Sequence, residues 1–378
     1  MPAATRPALV TIALIGNPNT GKSTLFSALA GIRQHVGNYP GVTVEKKTGR
    51  MEHAGQEYEL IDLPGLYSLA ARSRDEMVAV DVLLGRRKDV PPVDGVVCIL
   101  DASNLQRHLY LLSQVLELGL PTVVAVNMLD VASARGIRVD LARLEARLGV
   151  PVLPIQAHRK IGLDALLAAI GAMLDTARAE AAPLFPAVFE REVDRLAALL
   201  ACGGFHAAPE RRGRAPRWFA CGGCTAACCH FALQKTPHPN PLPQGEMGPV
   251  PKAATPAAAA GDSASGGGGG IVLPRCLVRR LLLDINGYLQ DALLPQCDGH
   301  LGQHLAAARA RLAEAGCVVP AVETTARYGW AVTTLGGVVS EPRHYRQTAT
   351  DRIDGLLTHR LWGMLAFAVL MFLIFQAV

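Results

Sequence analysis

The sequence predicts an α/β domain, with a mostly parallel sheet covered by helices on both faces, then a small helical domain and a C-terminal apolar helix. Three observations predict it. Apolar strand-like runs alternate with helical patterns over residues 9–177, and such alternation gives a parallel sheet buried on both faces. Gly16-Asn17-Pro18-Asn19-Thr20-Gly21-Lys22-Ser23 fits G-x-x-x-x-G-K-[ST] between an apolar run and a helical pattern, the setting of a phosphate-binding loop. Residues 361–378 form an 18-residue stretch without charge. As a helix it would reach roughly 27 Å, close to the hydrocarbon thickness of a bilayer.

The elements follow in order. Strands fit 9–15, 57–61, 95–100, 122–126 and 152–155, and His53-Ala54-Gly55-Gln56 looks like the turn of a hairpin. Helical patterns cover 22–30, 75–84, 105–118, 141–148 and 163–174. The motifs fall at the C-terminal ends of strands, where such sheets bind ligands. A further helix fits 187–201, and helical patterning returns at 277–294, 301–315 and, less clearly, 322–339. Between them, 203–270 is rich in Gly, Pro and Ala and ends in five glycines, the composition of a disordered insertion. The expected division is a domain over 1–180, a helical domain over 181–202 and 271–345 interrupted by that insertion, and a juxtamembrane segment with a first transmembrane helix over 346–378.

A net charge of +5 on 378 residues is mild, so no nucleic-acid partner is implied. The Arg211-Arg212-Gly213-Arg214 and Arg279-Arg280 clusters read as solvated surface. No apolar core precedes the first strand, so no cleaved signal peptide is expected. The nine cysteines are unevenly spaced, as in a protein with reduced cytosolic thiols. Arg343, Arg346, Arg352 and Arg360 precede the apolar C-terminal run, and Trp362 stands at its entry. By the positive-inside rule everything upstream stays in the cytoplasm. The chain stops inside the run, so a fragment of a larger membrane protein is expected.

Four motifs carry the chemistry. In the loop, backbone N–H groups and the following helix dipole make an anion site. Lys22 is placed to reach the outer phosphates and the Ser23 hydroxyl to ligate Mg²⁺. Asp62-Leu63-Pro64-Gly65 fits D-x-x-G at a strand end. Asp62 would hold Mg²⁺ through water, and the Gly65 N–H would sense the γ-phosphate. Asn127-Met128-Leu129-Asp130 fits N-x-x-D after another strand. The Asp130 carboxylate can accept from guanine N1 and N2, a donor pair that adenine lacks, while Asn127 braces the loop. Met128 stands where many nucleotide switches carry Lys. Asn38-Tyr39-Pro40-Gly41-Val42-Thr43-Val44-Glu45 supplies Thr43 as the residue that completes the Mg²⁺ shell with triphosphate bound. Gln156-Ala157-His158 would close the base pocket. Leu66 follows D-x-x-G where many GTPases carry a water-orienting Gln. Leucine cannot do that, so hydrolysis is expected to be slow or helped by a cation. Cys221, Cys224, Cys228, Cys229 and His230 offer soft ligands for Zn²⁺ or iron, in surroundings that look disordered.

Taken together, these residues resemble the ferrous iron transport protein B (FeoB) family. The resemblance rests on the phosphate loop, on 37–45, on Asp62-Leu63-Pro64-Gly65-Leu66-Tyr67-Ser68-Leu69, on Asp101-Ala102-Ser103-Asn104-Leu105, on Asn127 to Asp130, and on the tail around His359-Arg360-Leu361-Trp362-Gly363. It implies a cytoplasmic GTPase domain that binds GTP and GDP, a helical regulatory domain, and a membrane domain of the inner membrane that moves Fe²⁺ inward. It further implies that Asn19 ligates K⁺ beside the phosphates, with Lys22, Thr43 and Gly65 serving hydrolysis. Small cytoplasmic partner proteins and a homo-oligomer are compatible with it. The base-closing loop departs from the family, with Gln156 where Ser is usual. Two rival classes are a soluble GTPase that binds RNA or assists ribosome assembly, and a metal-sensing module built on the cysteine cluster.

Overall fold

The computed structural model describes residues 9–31, 34–70, 73–174, 184–201, 273–293, 300–340 and 353–377, apart from 354 and 356. The expected insertion at 203–270, its cysteine–histidine cluster, and Arg343, Arg346 and Arg352 lie outside the described residues. Two compact units divide the chain, Met1–Ala187 with Cys317–Val378, and Val188–Gly316.

The first unit is built on a seven-stranded sheet. Its strands are β1 (Leu9–Gly16), β2 (Gln34–Asn38), β3 (Glu45–His53), β4 (Gln56–Asp62), β5 (Gly95–Asp101), β6 (Thr122–Asn127) and β8 (Val152–Pro154), in the order β2-β3-β4-β1-β5-β6-β8. From β4 to β8 the pairing is parallel, with Leu14 opposite Asp62 and Ile15 opposite Cys98. β2 and β3 extend it antiparallel. β1, β5 and β6 are the continuous apolar runs, and they lie at or beside the centre because only there is a strand buried on both faces. The helices are α1 (Lys22–Ala30), α2 (Arg74–Leu83), α3 (Leu105–Glu117), α4 (Leu129–Ala134), α5 (Leu141–Leu148) and α6 (Leu163–Met173). Leu25 and Phe26 of α1 and Leu166 and Ile170 of α6 pack in one cluster with Ile12, Leu14, Val97 and Ile99. The alternate residues Ala13, Ile15, Cys98 and Leu100 are equally buried, so the other face is covered too, and α3 packs against β1 and β5.

Local chemistry sets the boundaries. Ala54 and Gly55 both have positive φ, 50° and 76°, and form the two-residue β3–β4 hairpin that the sequence predicts. Ser73 and Glu76 form a reciprocal capping box on α2. Asp140 caps α5, which Gly149 ends in the left-handed conformation.

Some elements differ from expectation. The predicted helix 277–294 is broken. α8 (Arg275–Leu283) ends, and α9 (Tyr288–Leu293) begins only after Gly287 at φ 76°. Asp284 stabilises the break, because its Oδ2 accepts from the Leu289 N at 2.5 Å. The predicted helix 322–339 is α11 (Ala321–Leu335), stopped at Gly336 and Gly337. The chain then forms β9 (Val339–Ser340), paired with β7 (Arg138–Val139). α11 packs on α3 and α5, and Arg147 of α5 donates to the carbonyls of Thr333 and Thr334 at its C-terminal end. It therefore clusters with the first unit, whereas the sequence-based division assigns 271–345 to a helical domain.

In the second unit α7 (Ala187–Ala201), α8, α9 and α10 (His300–Glu314) carry apolar seams such as Phe189, Val193, Leu277 and Leu281. Glu190 pairs with Arg275 and Arg279, and Glu192 with Arg311. The Arg309 guanidinium caps the end of α8 through the carbonyls of Leu281, Leu282 and Asp284.

The last helix, α12 (Trp362–Ala377), has 16 residues, about 24 Å of helix. Among the described residues no helix is long and apolar enough to cross a membrane. The span expected over 361–378 is thus not met as such, because Leu361 stays in the turn before the helix and Val378 lies outside the described residues. α12 nonetheless bares Trp362, Met364, Leu365, Phe367, Leu370, Phe372 and Phe375 to more than half of their surface.

Candidate nucleotide-binding site

The loop from Gly16 to Gly21 joins β1 to α1 at the C-terminal edge of the parallel sheet. Two of its positions admit only glycine. A Cβ on Gly16 would sit 2.8 Å from the Ile99 carbonyl oxygen, and one on Gly21, at φ 85°, would sit 2.4 Å from Asn127 Nδ2. Thr20 Oγ1 donates to the Asn17 carbonyl at 2.9 Å, which tightens the loop. The Asn17 amide is buried with no partner among the described residues. Asn19 is exposed with φ 65°, and Pro18 is half-buried.

Three predicted residues meet just past the loop. Lys22 Nζ makes a close ion pair with Asp62 Oδ1, and Ser23 Oγ donates to Asp62 Oδ2 at 3.3 Å. Lys22 and Asp62 are buried. Parallel pairing brings them together, since β4 lies beside β1 and ends at Asp62, opposite Leu14. A hydroxyl and a carboxylate are hard oxygen donors, the set that suits Mg²⁺. The D-x-x-G segment then folds against the loop. The Leu63 N donates to the Leu14 carbonyl, the Leu66 N donates to the Gly16 carbonyl, both at 3.1 Å, and a Cβ on Gly65 would meet the Pro18 backbone at 3.2 Å. Pro64 is half-buried, while Leu66 is buried and presents no polar group to the loop.

The N-x-x-D motif joins the site from β6. Asn127 is buried. Its Nδ2 donates to the Thr20 carbonyl at 2.9 Å, and its Oδ1 accepts from the Ala157 N at 3.4 Å. One side chain thereby ties the phosphate loop to the 156–158 loop. Met128, at φ 60°, turns the chain into α4, which begins with Leu129 and the exposed Asp130. Asp130 Oδ1 accepts from the Val131 N at 3.0 Å. Ala157 is buried and His158 exposed, and Gln156 pairs with Ile161 through both backbone groups.

The Thr43 segment is placed apart from this cluster. Thr43 is exposed in the turn between β2 and β3 and makes no polar contact with Ser23 or Asp62. Gly41 at φ 81° lets the turn close, the Tyr39 N donates to the Val44 carbonyl at 2.9 Å, Val42 is half-buried, and Glu45 pairs with Lys47. An anchor that the sequence did not disclose fixes the turn. Tyr39 is buried, with Arg87 5.0 Å and Lys46 5.8 Å from its ring centre. Arg87 also donates to the Pro40 carbonyl, and Arg87 and Lys46 both pair with Asp89. Burial raises the Tyr39 hydroxyl above its ordinary pKa against the pull of Arg87. Partial burial pushes Asp89 up, but the hydrogen bond and charge of Arg87 outweigh it and hold the carboxyl below the usual range. No local pattern in the sequence marks this anchor, because its pairings span more than forty residues.

Residues 10–170 match the family described as ferrous iron transport protein B. A 157-residue stretch is 51% identical to the Fe(2+) transporter FeoB of Legionella pneumophila (strain Paris), covering 40% of this chain and 20% of that protein. The Escherichia coli (strain K12) Fe(2+) transporter FeoB is 48% identical over 165 residues, 43% of this chain and 21% of that protein. The chain thus aligns with about a fifth of the length of these relatives. Among solved structures, the cytosolic domain of L. pneumophila FeoB is similar at TM-score 0.59 and 28% identity, covering 88% of this chain and all of that one. A GDP-bound point mutant of the S. thermophilus FeoB G-domain is similar at TM-score 0.61 and 26% identity, with the same coverage. The α/β fold with a phosphate loop and a mostly parallel sheet is therefore that of FeoB G domains, and residues 10–170 are the part of this chain that matches the ferrous iron transport protein B family.

Proposed function

We propose that this chain is the GTP-binding and GTP-hydrolysing switch of a ferrous iron transporter. The observation that carries the reading is the convergence of the 16–23 loop, Asp62 and Asn127 at the C-terminal ends of β1, β4 and β6. It is supported by the GDP bound to the S. thermophilus G-domain structure.

The backbone N–H groups of Asn19 to Ser23 would hold the phosphates at the start of α1. Lys22 would leave Asp62 for the outer phosphates, and Asp62 would then be free, with Ser23 and Thr43, to hold Mg²⁺. That ion, when bound, neutralises charge on the phosphate oxygens. Thr43 must swing from its exposed turn to join, so the Tyr39 anchor sets what that motion costs. The Gly65 N–H would donate to the γ-phosphate. Water would attack the γ-phosphorus, the bond to the β-phosphate oxygen would break, and GDP and phosphate would leave. Leu66 cannot orient that water, so backbone groups must, with the Asn19 amide oxygen as the ligand for an assisting K⁺. Asp130 would select guanine, and Gln156, Ala157 and His158 would close over the base, with Asn127 joining that loop to the phosphate end.

The domain over 1–180 would act on the helical segments at 181–202 and 271–345, and these on a membrane domain reached through α12. The bared apolar surface of α12 suits a lipid bilayer. The chain would reside at the inner membrane with its N-terminal domains in the cytoplasm and Fe²⁺ as the transported ion. A soluble RNA-binding GTPase would not account for that surface. Fluorescent GTP and ATP titrations in Mg²⁺ test the reading. GTP binding in clear preference to ATP is expected, and equal affinities would overturn it.

A further inference from the structure

Gln114 lies on α3 and is fully buried. Both ends of its amide are engaged. Oε1 accepts from the backbone N of Leu69 at 2.6 Å, and Nε2 donates to Glu323 Oε1 on α11 at 2.9 Å. The same Glu323 oxygen accepts from Arg327 Nε at 2.8 Å. Arg327 is itself wholly buried, with Nη1 donating to Ser113 Oγ at 3.0 Å and Nη2 pairing with Glu117. A neutral side chain that offers an acceptor and a donor at one tip is what this position needs. An apolar residue of the same size would leave a buried N–H and a buried carboxylate oxygen each short of a partner.

Leu69 belongs to the segment that follows D-x-x-G. That segment is held at four points, the Leu66 N on the Gly16 carbonyl, the Tyr67 ring with the Arg107 guanidinium 4.3 Å from its centre, the Ser68 hydroxyl donating to Glu76 on α2 at 3.4 Å, and the Leu69 N on Gln114. With leucine at 66, the backbone of this segment must place the attacking water, so whatever fixes the backbone bears on the rate. Two of the four holds come from α3, and one of those two is shared with α11.

We propose that Gln114 is a positioning residue for hydrolysis, and that through Glu323 it makes the conformation of the 66–69 segment depend on the docking of α11 against α3. The inference rests on the GTPase reading above and adds to it the residue through which α11 reaches the reaction. A displacement of α11 would take Glu323 from Gln114, release the amide to rotate, and loosen Leu69.

The test uses the full chain in detergent micelles, with single-turnover GTP hydrolysis and titration with a fluorescent GDP. Gln114→Met should slow hydrolysis at least fivefold while GDP affinity stays within twofold. Glu323→Ala touches no atom of the segment, yet should slow hydrolysis to a similar degree. The double variant should lose no more than the larger single loss. Glu323→Gln keeps an oxygen acceptor for Gln114 and Arg327 and should stay within twofold of the unaltered chain. Wild-type hydrolysis in Glu323→Ala, losses that multiply in the double variant, or a Glu323→Gln loss equal to that of Glu323→Ala would each overturn the inference. Should Gln114→Met fail to fold, the two Glu323 variants decide by themselves. An unaltered chain that ignores GDP would instead sink the GTPase reading, so the two failures are told apart.

Discussion

Asp130 stands exposed at the start of α4 and, among the described residues, accepts a hydrogen bond only from the neighbouring Val131 N, so its removal disturbs little of the fold. Asp130→Ala should nevertheless abolish the preference for GTP over ATP. Two hydrogen bonds to a charged group, at about 1.5–3 kcal/mol each, amount to a loss of about a hundredfold or more, read by nucleotide titration. Asn19 is exposed beside the loop, and Asn19→Ala should remove any excess of hydrolysis in K⁺ over Na⁺; an unchanged ratio would exclude it as the cation's ligand. His108 gives a pH dependence. Burial, aided by Arg107 and opposed by Asp101, holds its imidazole below the ordinary value. The unfolded chain therefore takes up the proton first, and stability should decline as pH falls below about 6.5. Calorimetry between pH 5 and pH 8 checks this, and His108→Gln should flatten that part of the profile. Much of the site was legible at this scale, because loop, D-x-x-G and N-x-x-D are contiguous strings whose geometry is local. Gln114 and the Tyr39 anchor were not, since Gln114 meets partners 45 and 209 residues away and no local pattern marks such pairings.

At the scale of elements, the buried strands announced themselves as apolar runs. β2 did not, because all five of its residues are exposed at the sheet edge and show no buried alternation. α4 was hidden because its first turn is the N-x-x-D motif itself. The break between α8 and α9 depends on one carboxylate capping the amide five residues on, which helical periodicity cannot reveal. The turn bearing Thr43 is held by Arg87, Lys46 and Asp89, partly solvent-exposed charges. Such pairs are worth about 1 kcal/mol or less, so Arg87→Ala should barely lower global stability. It should instead raise amide exchange at 39–44 while β1 keeps its protection. Equal protection in both proteins would show that the turn has another support. A cavity in the sheet is a larger perturbation, and Leu14→Ala, in a fully buried strand residue, should cost about 2–5 kcal/mol in denaturant unfolding.

For the whole molecule, the sequence foretold the alternation that builds the sheet, yet set the border of the helical part at 345. Inside that border, α11 rests on α3 and α5 and clusters with the first unit. The second unit is held by carboxylate–arginine pairs as well as apolar seams, and Glu192 is kept ionised below its ordinary value by the Arg311 hydrogen bond against partial burial. The bared helix α12 gives the prediction proper to this scale. The chain expressed in bacteria should sediment with membranes and resist extraction by salt, and a version ending at residue 360 should be released to the soluble fraction. Recovery of the unaltered chain in the soluble fraction would deny α12 a lipid partner.

The contact between Gly21 and the Asn127 amide has a further consequence. One methyl group added at residue 21 would collide with the side chain that also steadies Ala157. On the GTPase reading, the loop proposed to close over the base and the loop proposed to grip the phosphates therefore share a single steric tolerance, set by the Asn127 side chain.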